Sequence, residues 1–293
     1  MMPAVSPSCS LCGSAHVSLV QRGVRHGATL EVYRCSGCSV VFLWPRPSSD
    51  EMAAYYAEDY RDDYGDPSTA ERHRLDAEEA ALRLERLRPF LGPDVRLLEV
   101  GAGSGAFLDS ARPNVGEIAA VEPDDEARDF IARQLGIDVA HDLGELDDSV
   151  DRFQLVVGFH VLEHLQDPVE FLRRLHGLTR PGGRVIMEVP NIDDALIAVY
   201  GTPAITNFYY QKAHLWYFSA VTLERVFVAA GMRVEIEGVQ RYDLSNHLHW
   251  LRVGEPGGQG YYGTLISPEA SAAYAESLQT AGRTDTLWAT GHA

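Results

Sequence analysis

The stretch VRLLEVGAGSGAFLDSA, residues 95–111, joins an apolar run to three glycines at alternate positions and then to the start of a second apolar segment. That order predicts a buried strand, a glycine-rich turn and a helix of an α/β sheet. Gly101 allows the sharp turn, Gly103 lets the backbone approach a ligand closely, and Gly105 permits tight packing where the helix begins. Twenty-one residues after Gly101 a second strand, EIAAVE, ends in Glu122, an acid placed to accept both hydrogen bonds of a ribose diol. Strand, turn, helix, strand and acid in this order predict an adenosine-containing ligand.

Gly101-x-Gly103-x-x-Ala106 also satisfies the permissive dinucleotide fingerprint. Glu99 argues against that ligand. Two residues ahead of the first glycine, its carboxylate would face the phosphates of NAD but could bind the ammonium of an amino-acid ligand. The set Glu99-x-Gly101-x-Gly103-x-Gly105 followed by Glu122-Pro123 resembles the class I S-adenosylmethionine-dependent methyltransferases. The resemblance covers nearly the whole chain after residue 90. It implies that Glu99, Gly101, Ala102, Gly103, Gly105, Glu122 and Pro123 hold the cofactor, that Asp142 and Leu143 touch the base, and that Phe159 and His160 lie near the methyl end. It also implies a Rossmann-like seven-stranded sheet whose terminal strand, DTLWATG, runs antiparallel. The alternation of apolar strands with helices independently calls for a parallel sheet covered on both faces.

Residues 160–164, HVLEH, have the His-x-x-Glu-His spacing of an inverted zinc-protease motif. They fall where strand four ends and a helix is expected to open, at the carboxyl edge where open α/β sheets bind ligands. The motif is therefore read as part of the methyl-transfer site. In ubiquinone-pathway O-methyltransferases and small-RNA 3'-end methyltransferases a similar stretch, with Glu in the first place, holds a divalent ion. Glu163, His164 and the distant His214 could do likewise here, although His160 reduces the carboxylates from two to one.

Two insertions interrupt the core pattern, at 190–218 and 241–284, and long insertions at this edge are commonly functional. Tyr209, Tyr217, Tyr242, Asn246, His249 and Trp250 are the expected acceptor-binding residues. The segment AHLWYFS, with the four-cysteine N-terminus, looks like the sugar C-methyltransferases of deoxysugar pathways. His214 matches the histidine of that family's Glu-His pair, but Ala213 replaces the Glu, and the family's extra C-terminal domain is absent. Carbon methylation needs a strong base, so oxygen, then nitrogen, is the favoured target. The expected mechanism is direct SN2 transfer to a sugar or sugar-containing small molecule, with His214 as general base and His160, Tyr60 and Tyr64 in reserve. The competing readings are carbon methylation of a nucleotide deoxysugar, an NAD-dependent nucleotide-sugar epimerase or dehydrogenase built on Tyr209 and Lys212, and a non-catalytic cofactor sensor.

All four cysteines lie in the first 38 residues, as Cys9-x2-Cys12 and Cys35-x2-Cys38 separated by 22 residues. Two such turns on neighbouring hairpins complete a tetrahedral site, so a structural Zn2+ is expected. The expected organisation is a zinc ribbon over 1–47, a helical linker or lid over 48–92, and the methyltransferase domain over 93–293. In the linker, Leu75, Leu82, Leu84 and Leu87 are read as one apolar stripe, closed by Gly92-Pro93.

The net charge of -17, from 25 basic and 42 acidic residues, makes nucleic acid a poor partner. No long apolar run and no basic, apolar leader appear, which points to a cytoplasmic enzyme with a small-molecule acceptor and no membrane partner.

Overall fold

The computed structural model describes residues 6–58, 67–146 and 153–293; Tyr60 and Tyr64 lie outside the described residues. The apolar runs form β4 (Gly92–Val100), β5 (Val115–Val121), β6 (Val139–Ala140), β7 (Phe153–Phe159) and β8 (Thr179–Pro190), all parallel. With β10 (Arg233–Val239) and β11 (Thr286–His292) they make one seven-stranded sheet in the order β10-β11-β8-β7-β4-β5-β6. β11 is antiparallel to both of its neighbours, as expected. Strand order reverses at β4, between β5 and β7, so the crevice above the carboxyl end of β4 is the natural ligand position of this topology. Among the described residues no helix is long and apolar enough to cross a membrane.

The N-terminal segment forms β1 (Val17–Val24), β2 (Gly27–Cys35) and β3 (Val41–Trp44), an antiparallel sheet. A fourth strand comes from the first insertion. β9 (Trp216–Tyr217) pairs Phe42 with Trp216 and Val41 with Tyr217. Val32, Val41 and Leu43 of this sheet belong to the same continuous core as Leu98, Val156 and Val185 of the main sheet. Burial of that shared apolar surface ties the two sheets together. At the exit of the ribbon Arg46 donates to the Gln166 carbonyl at 3.0 Å and lies 4.0 Å over the Trp216 ring, while Gln166 Nε2 donates to the Pro47 carbonyl at 2.7 Å.

Ser48 caps the first linker helix, Ser49–Glu58, through a reciprocal pair with Glu51. The expected second linker helix divides at Asp76 into Thr69–Leu75 and Ala77–Leu87. The leucine stripe is thereby corrected: Leu75 and Leu82 are exposed, and Ala80 and Leu87 are the buried positions. A break of one residue rotates the two halves out of a common face. Gly92-Pro93 opens β4 in place of closing the helix.

The two insertions pack on one another. Leu196, Ile205 and Trp250 form their own small core, with the Phe208 and Trp250 rings 5.0 Å apart. Helices Leu244–Val253 and Pro268–Ala281 complete this cap, started by Asp243 and Ser267, whose side chains accept from Asn246 N–H and Ala270 N–H.

Candidate active site

The turn after β4 has the backbone its glycines foretold. Gly101, Gly103 and Gly105 have φ of 70°, 52° and 72°, left-handed values that side chains disfavour. A Cβ on Gly101 would come within 2.5 Å of Val161 Cγ2, whereas one on Gly103 would meet nothing within 4 Å. The turn therefore presses against the 160–164 loop on one side and stays open on the other. Glu122 receives Gly103 N–H at 2.7 Å on one oxygen and Asp124 N–H at 2.9 Å on the other. Each oxygen keeps a second lone pair for a ribose hydroxyl. The linker reaches this turn, as Ser104 Oγ donates to Asp76 at 2.8 Å and His73 Nδ1 donates to the Ser104 carbonyl at 2.8 Å.

Glu99 is buried, with one carboxylate oxygen that has no hydrogen-bond partner. Burial pushes its carboxyl well above the ordinary range, against the pull of Arg83 and with the help of the Glu122 charge. A buried carboxyl left partly unsatisfied is a site for a missing donor. Of the other expected cofactor residues, Ala102 is buried with its N–H on the Val121 carbonyl at 3.2 Å. Pro123 gives its carbonyl to Arg128 at 2.8 Å. Asp142 accepts Gly144 N–H at 2.6 Å and starts the turn carrying Leu143. Phe159 packs inward between Phe107 (4.9 Å) and Trp288 (5.9 Å), with the Arg83 guanidinium 4.5 Å over its ring.

The HVLEH segment is not the start of a helix. Residues Leu162–His164 make one 3-10 turn, and the helix Pro168–Leu178 begins later, capped by Asp167. Pro168 fixes that start, since proline suits the first helical position and disfavours helix just before it. His160 itself sits at φ 55°, a left-handed strain for a side-chain residue, held by its N–H on the Glu188 carbonyl at 2.8 Å.

Around it lies a buried network that sequence reasoning missed. His160 Nδ1 is 3.3 Å from Glu163, and its Nε2 is 3.0 Å from Glu188 and 2.6 Å from Arg241. Arg83 pairs with Glu188 at 2.6 Å and Arg241 with Glu79 at 2.8 Å. Burial opposes ionisation of Glu188, but His160 and Arg83 outweigh it and hold the carboxyl far below its usual range. A lone acid inside the apolar strand RVIMEVP was the available signal. Glu188→Gln is expected to lower unfolding stability by about 3 kcal/mol, because it leaves Arg83 and His160 without their buried counter-charge. In denaturant titrations the Glu188 contribution should be complete above the ordinary carboxylate pKa and fade as the pH drops below it. The variant should lack that acid-side loss.

Glu163, His164 and His214 come together, with candidate ligand atoms all within 4.8 Å of one another. The His164 and His214 rings meet edge-on at 4.8 Å, and His164 Nδ1 donates to the Ala213 carbonyl at 2.9 Å. His214 Nε2 receives the Gln211 amide at 2.7 Å, and burial, then His164, lowers its pKa from 6.5 to about 3. One Glu163 oxygen, the Tyr209 hydroxyl and His214 Nδ1 are all buried without partners. Tyr217 is buried and locks the loop, its hydroxyl accepting from Gln211 N–H at 3.0 Å and donating to the Gln211 carbonyl at 3.1 Å.

The remaining expected acceptor residues are held within the cap. Trp250 is core, Asn246 Nδ2 donates to the Gly257 carbonyl at 2.6 Å, His249 lies 5.6 Å from the Tyr261 ring, and Tyr242 is exposed. At the N-terminus the four cysteine sulfurs lie within 4.8 Å of one another, with Cys9 and Cys38 3.6 Å apart and Cys12 and Cys35 3.5 Å apart. A tetrahedral zinc with Zn–S bonds of about 2.3 Å sets its sulfurs about 3.8 Å apart, so this donor set fits one ion.

A family model for a methyltransferase domain matches residues 71–236, more than half of the chain. The chain is 30% identical over 137 residues to a ubiquinone biosynthesis O-methyltransferase of Ruegeria pomeroyi, covering 44% of this chain and 54% of the relative. It thus spans about half of that relative's length. It is 27% identical over 189 residues to the protein of the same name from Azorhizobium caulinodans, covering 58% of this chain and 74% of that one. A solved SAM-dependent methyltransferase from Archaeoglobus fulgidus superposes with a TM-score of 0.53 at 20% identity, over 76% of this chain and 97% of that one. The chain belongs to the methyltransferase-domain family, and its seven-stranded sheet is the fold of the S-adenosylmethionine-dependent methyltransferases.

Proposed function

We propose that this protein transfers the methyl group of S-adenosylmethionine to a hydroxyl of a small molecule. The observation that carries the reading is the buried, half-satisfied Glu99 carboxyl at the end of β4, beside the glycine turn. An α-ammonium supplies the missing donor there and favours the ionised carboxylate, while a pyrophosphate has no donor to offer it and would bring its own charge into a low-dielectric site beside two acids. Glu122 takes the ribose, and the sulfonium brings its own leaving group, so the protein's work is alignment and exclusion of water. The acceptor hydroxyl gives its proton to the unpartnered oxygen of Glu163 as its own oxygen attacks the methyl carbon. The role expected of His214 as base passes to Glu163, because His214 Nε2 already takes a hydrogen bond from Gln211.

Oxygen as the target is supported by the two relatives being ubiquinone biosynthesis O-methyltransferases. A sugar acceptor rests on the resemblance carried by AHLWYFS and the four-cysteine N-terminus, and carbon methylation lacks a strong base at Ala213. The epimerase reading loses its pair, since Tyr209 ends one helix while Lys212 lies 4.0 Å over the Tyr55 ring. We also propose a structural Zn2+ on Cys9, Cys12, Cys35 and Cys38.

Calorimetry with S-adenosylmethionine and with NAD tests the donor: a saturable isotherm is expected for the sulfonium and none for the dinucleotide. NAD binding without sulfonium binding overturns the assignment. Labelled-methyl transfer to parallel panels of hydroxylated aromatics and sugars then separates the two acceptor classes.

A further inference from the structure

The trio Glu163, His164 and His214 has the ligand types of a divalent-cation site, and the likeness to ubiquinone-pathway O-methyltransferases implies an ion there. The hydrogen-bond pattern does not fit one. Arg25, at the tip of the β1–β2 hairpin, donates through Nη2 to Gln211 Oε1. That contact fixes the amide, because turning it over would set the guanidinium against an NH2 group. Gln211 Nε2 therefore faces His214 Nε2 as the donor, at 2.7 Å. An imidazole nitrogen that accepts a hydrogen bond carries no proton, so the neutral ring holds its proton on Nδ1.

Neither nitrogen then offers a lone pair to a cation, since that of Nε2 is taken by the amide and Nδ1 bears hydrogen. His160 stands where those relatives place their first carboxylate, and it cannot substitute. Its two nitrogens are directed at Glu163 on one side and at Glu188 and Arg241 on the other. What remains is one Glu163 oxygen and His164, a single hard ligand beside an imidazole, a donor set that holds a hard cation weakly.

We infer that methyl transfer in this protein needs no divalent cation, and that Arg25 and Gln211 are positioning residues that keep His214 as an Nδ1–H donor for an oxygen of the acceptor. The ribbon supplies Arg25 to this end: Arg25 N–H donates to the Tyr210 carbonyl at 2.8 Å, and Lys212 N–H to the Arg25 carbonyl at 3.0 Å. The inference rests on the methyl-transfer reading for the use of the donor, but not for its existence.

Long-range 1H–15N correlation spectra of the histidine rings read the tautomer without any acceptor. The wild-type protein should show His214 as Nδ1–H, unchanged on addition of Mg2+ and unbroadened by Mn2+. Gln211→Glu replaces the amide donor with an acceptor, so it should turn the ring to Nε2–H, open Nδ1 to Mn2+, and lower kcat roughly tenfold while donor affinity holds. Arg25→Lys, which can still donate to Gln211 Oε1, should retain the wild-type tautomer. An Nε2–H ring or Mn2+ broadening in the wild type overturns the inference, as does a tautomer indifferent to Gln211→Glu. Calorimetry with S-adenosylmethionine separately decides the donor reading.

Discussion

Cys38→Ser is expected to strip the ribbon of the zinc we propose there and to abolish methyl transfer. The Cys38 sulfur is buried 3.6 Å from Cys9 within the four-sulfur cluster, where a hydroxyl is a poor replacement for a thiolate ligand. Structural zinc contributes about 10 kcal/mol or more to modules of this size. No apolar core of three short strands replaces that sum. The loss spreads because β3 carries β9, and the segment joining Gln211 to Tyr217 holds His214. Leu215 N–H also donates to the Glu163 carbonyl at 2.8 Å, so the 160–164 loop loses a strut. Metal analysis should fall from one zinc per wild-type chain toward none in the variant, with a lower Tm and methyl transfer below detection. A metal-free wild-type protein with the same Tm as the variant removes the zinc from the account.

Glu99→Gln is expected to weaken S-adenosylmethionine binding by about 2–3 kcal/mol, roughly a hundredfold, through loss of one charged hydrogen bond. The same substitution should raise the Tm of the donor-free protein. Burial lifts the Glu99 carboxyl, so the folded chain binds a proton that the unfolded chain has released, and stability falls as the pH rises through that interval. Glutamine removes the penalty. Donor binding favours the ionised form, so wild-type affinity should rise with pH and binding should release protons, seen as a dependence of calorimetric enthalpy on the buffer. In the variant this slope should shrink to what Glu122, also lifted by burial, contributes. An unchanged affinity for Glu99→Gln sinks the placement of the ammonium. A stability gain with a loss of affinity is the signature of a residue kept for its ligand.

Much of this was legible in the primary structure because it depends on local pattern. The apolar runs of β4, β5, β7 and β8 and the glycines at 101, 103 and 105 declare themselves within a few residues. The cysteine spacing likewise needs only two short turns to gather the four sulfurs. The readings that failed depend on distant partners. β9 is two residues long and acquires its identity from Phe42 and Val41, so no periodicity announces it. The linker helix breaks at Asp76, whose side chain turns to Ser104 across the glycine turn. His160 looked like a helix start because its neighbours have helical spacing, yet Glu188 and Arg241 from other elements fix it in a turn. The Gln211 and Arg25 contacts to His214, on which our proposal of Glu163 as base rests, become visible only once the hairpin and the insertion meet.

The shared strand also constrains synthesis. β9 follows the first five strands of the main sheet in the chain, so the N-terminal hairpins leave the ribosome long before the segment that covers the outer edge of β3 exists. During that interval Val41, Phe42 and Leu43 present an apolar, unpaired edge, the kind that recruits other nascent chains. Early loading of the zinc we propose would shorten the hazard by closing the hairpin turns. Only the arrival of Trp216 and Tyr217 ends it, so the ribbon is translated ahead of the main sheet yet finished after most of it.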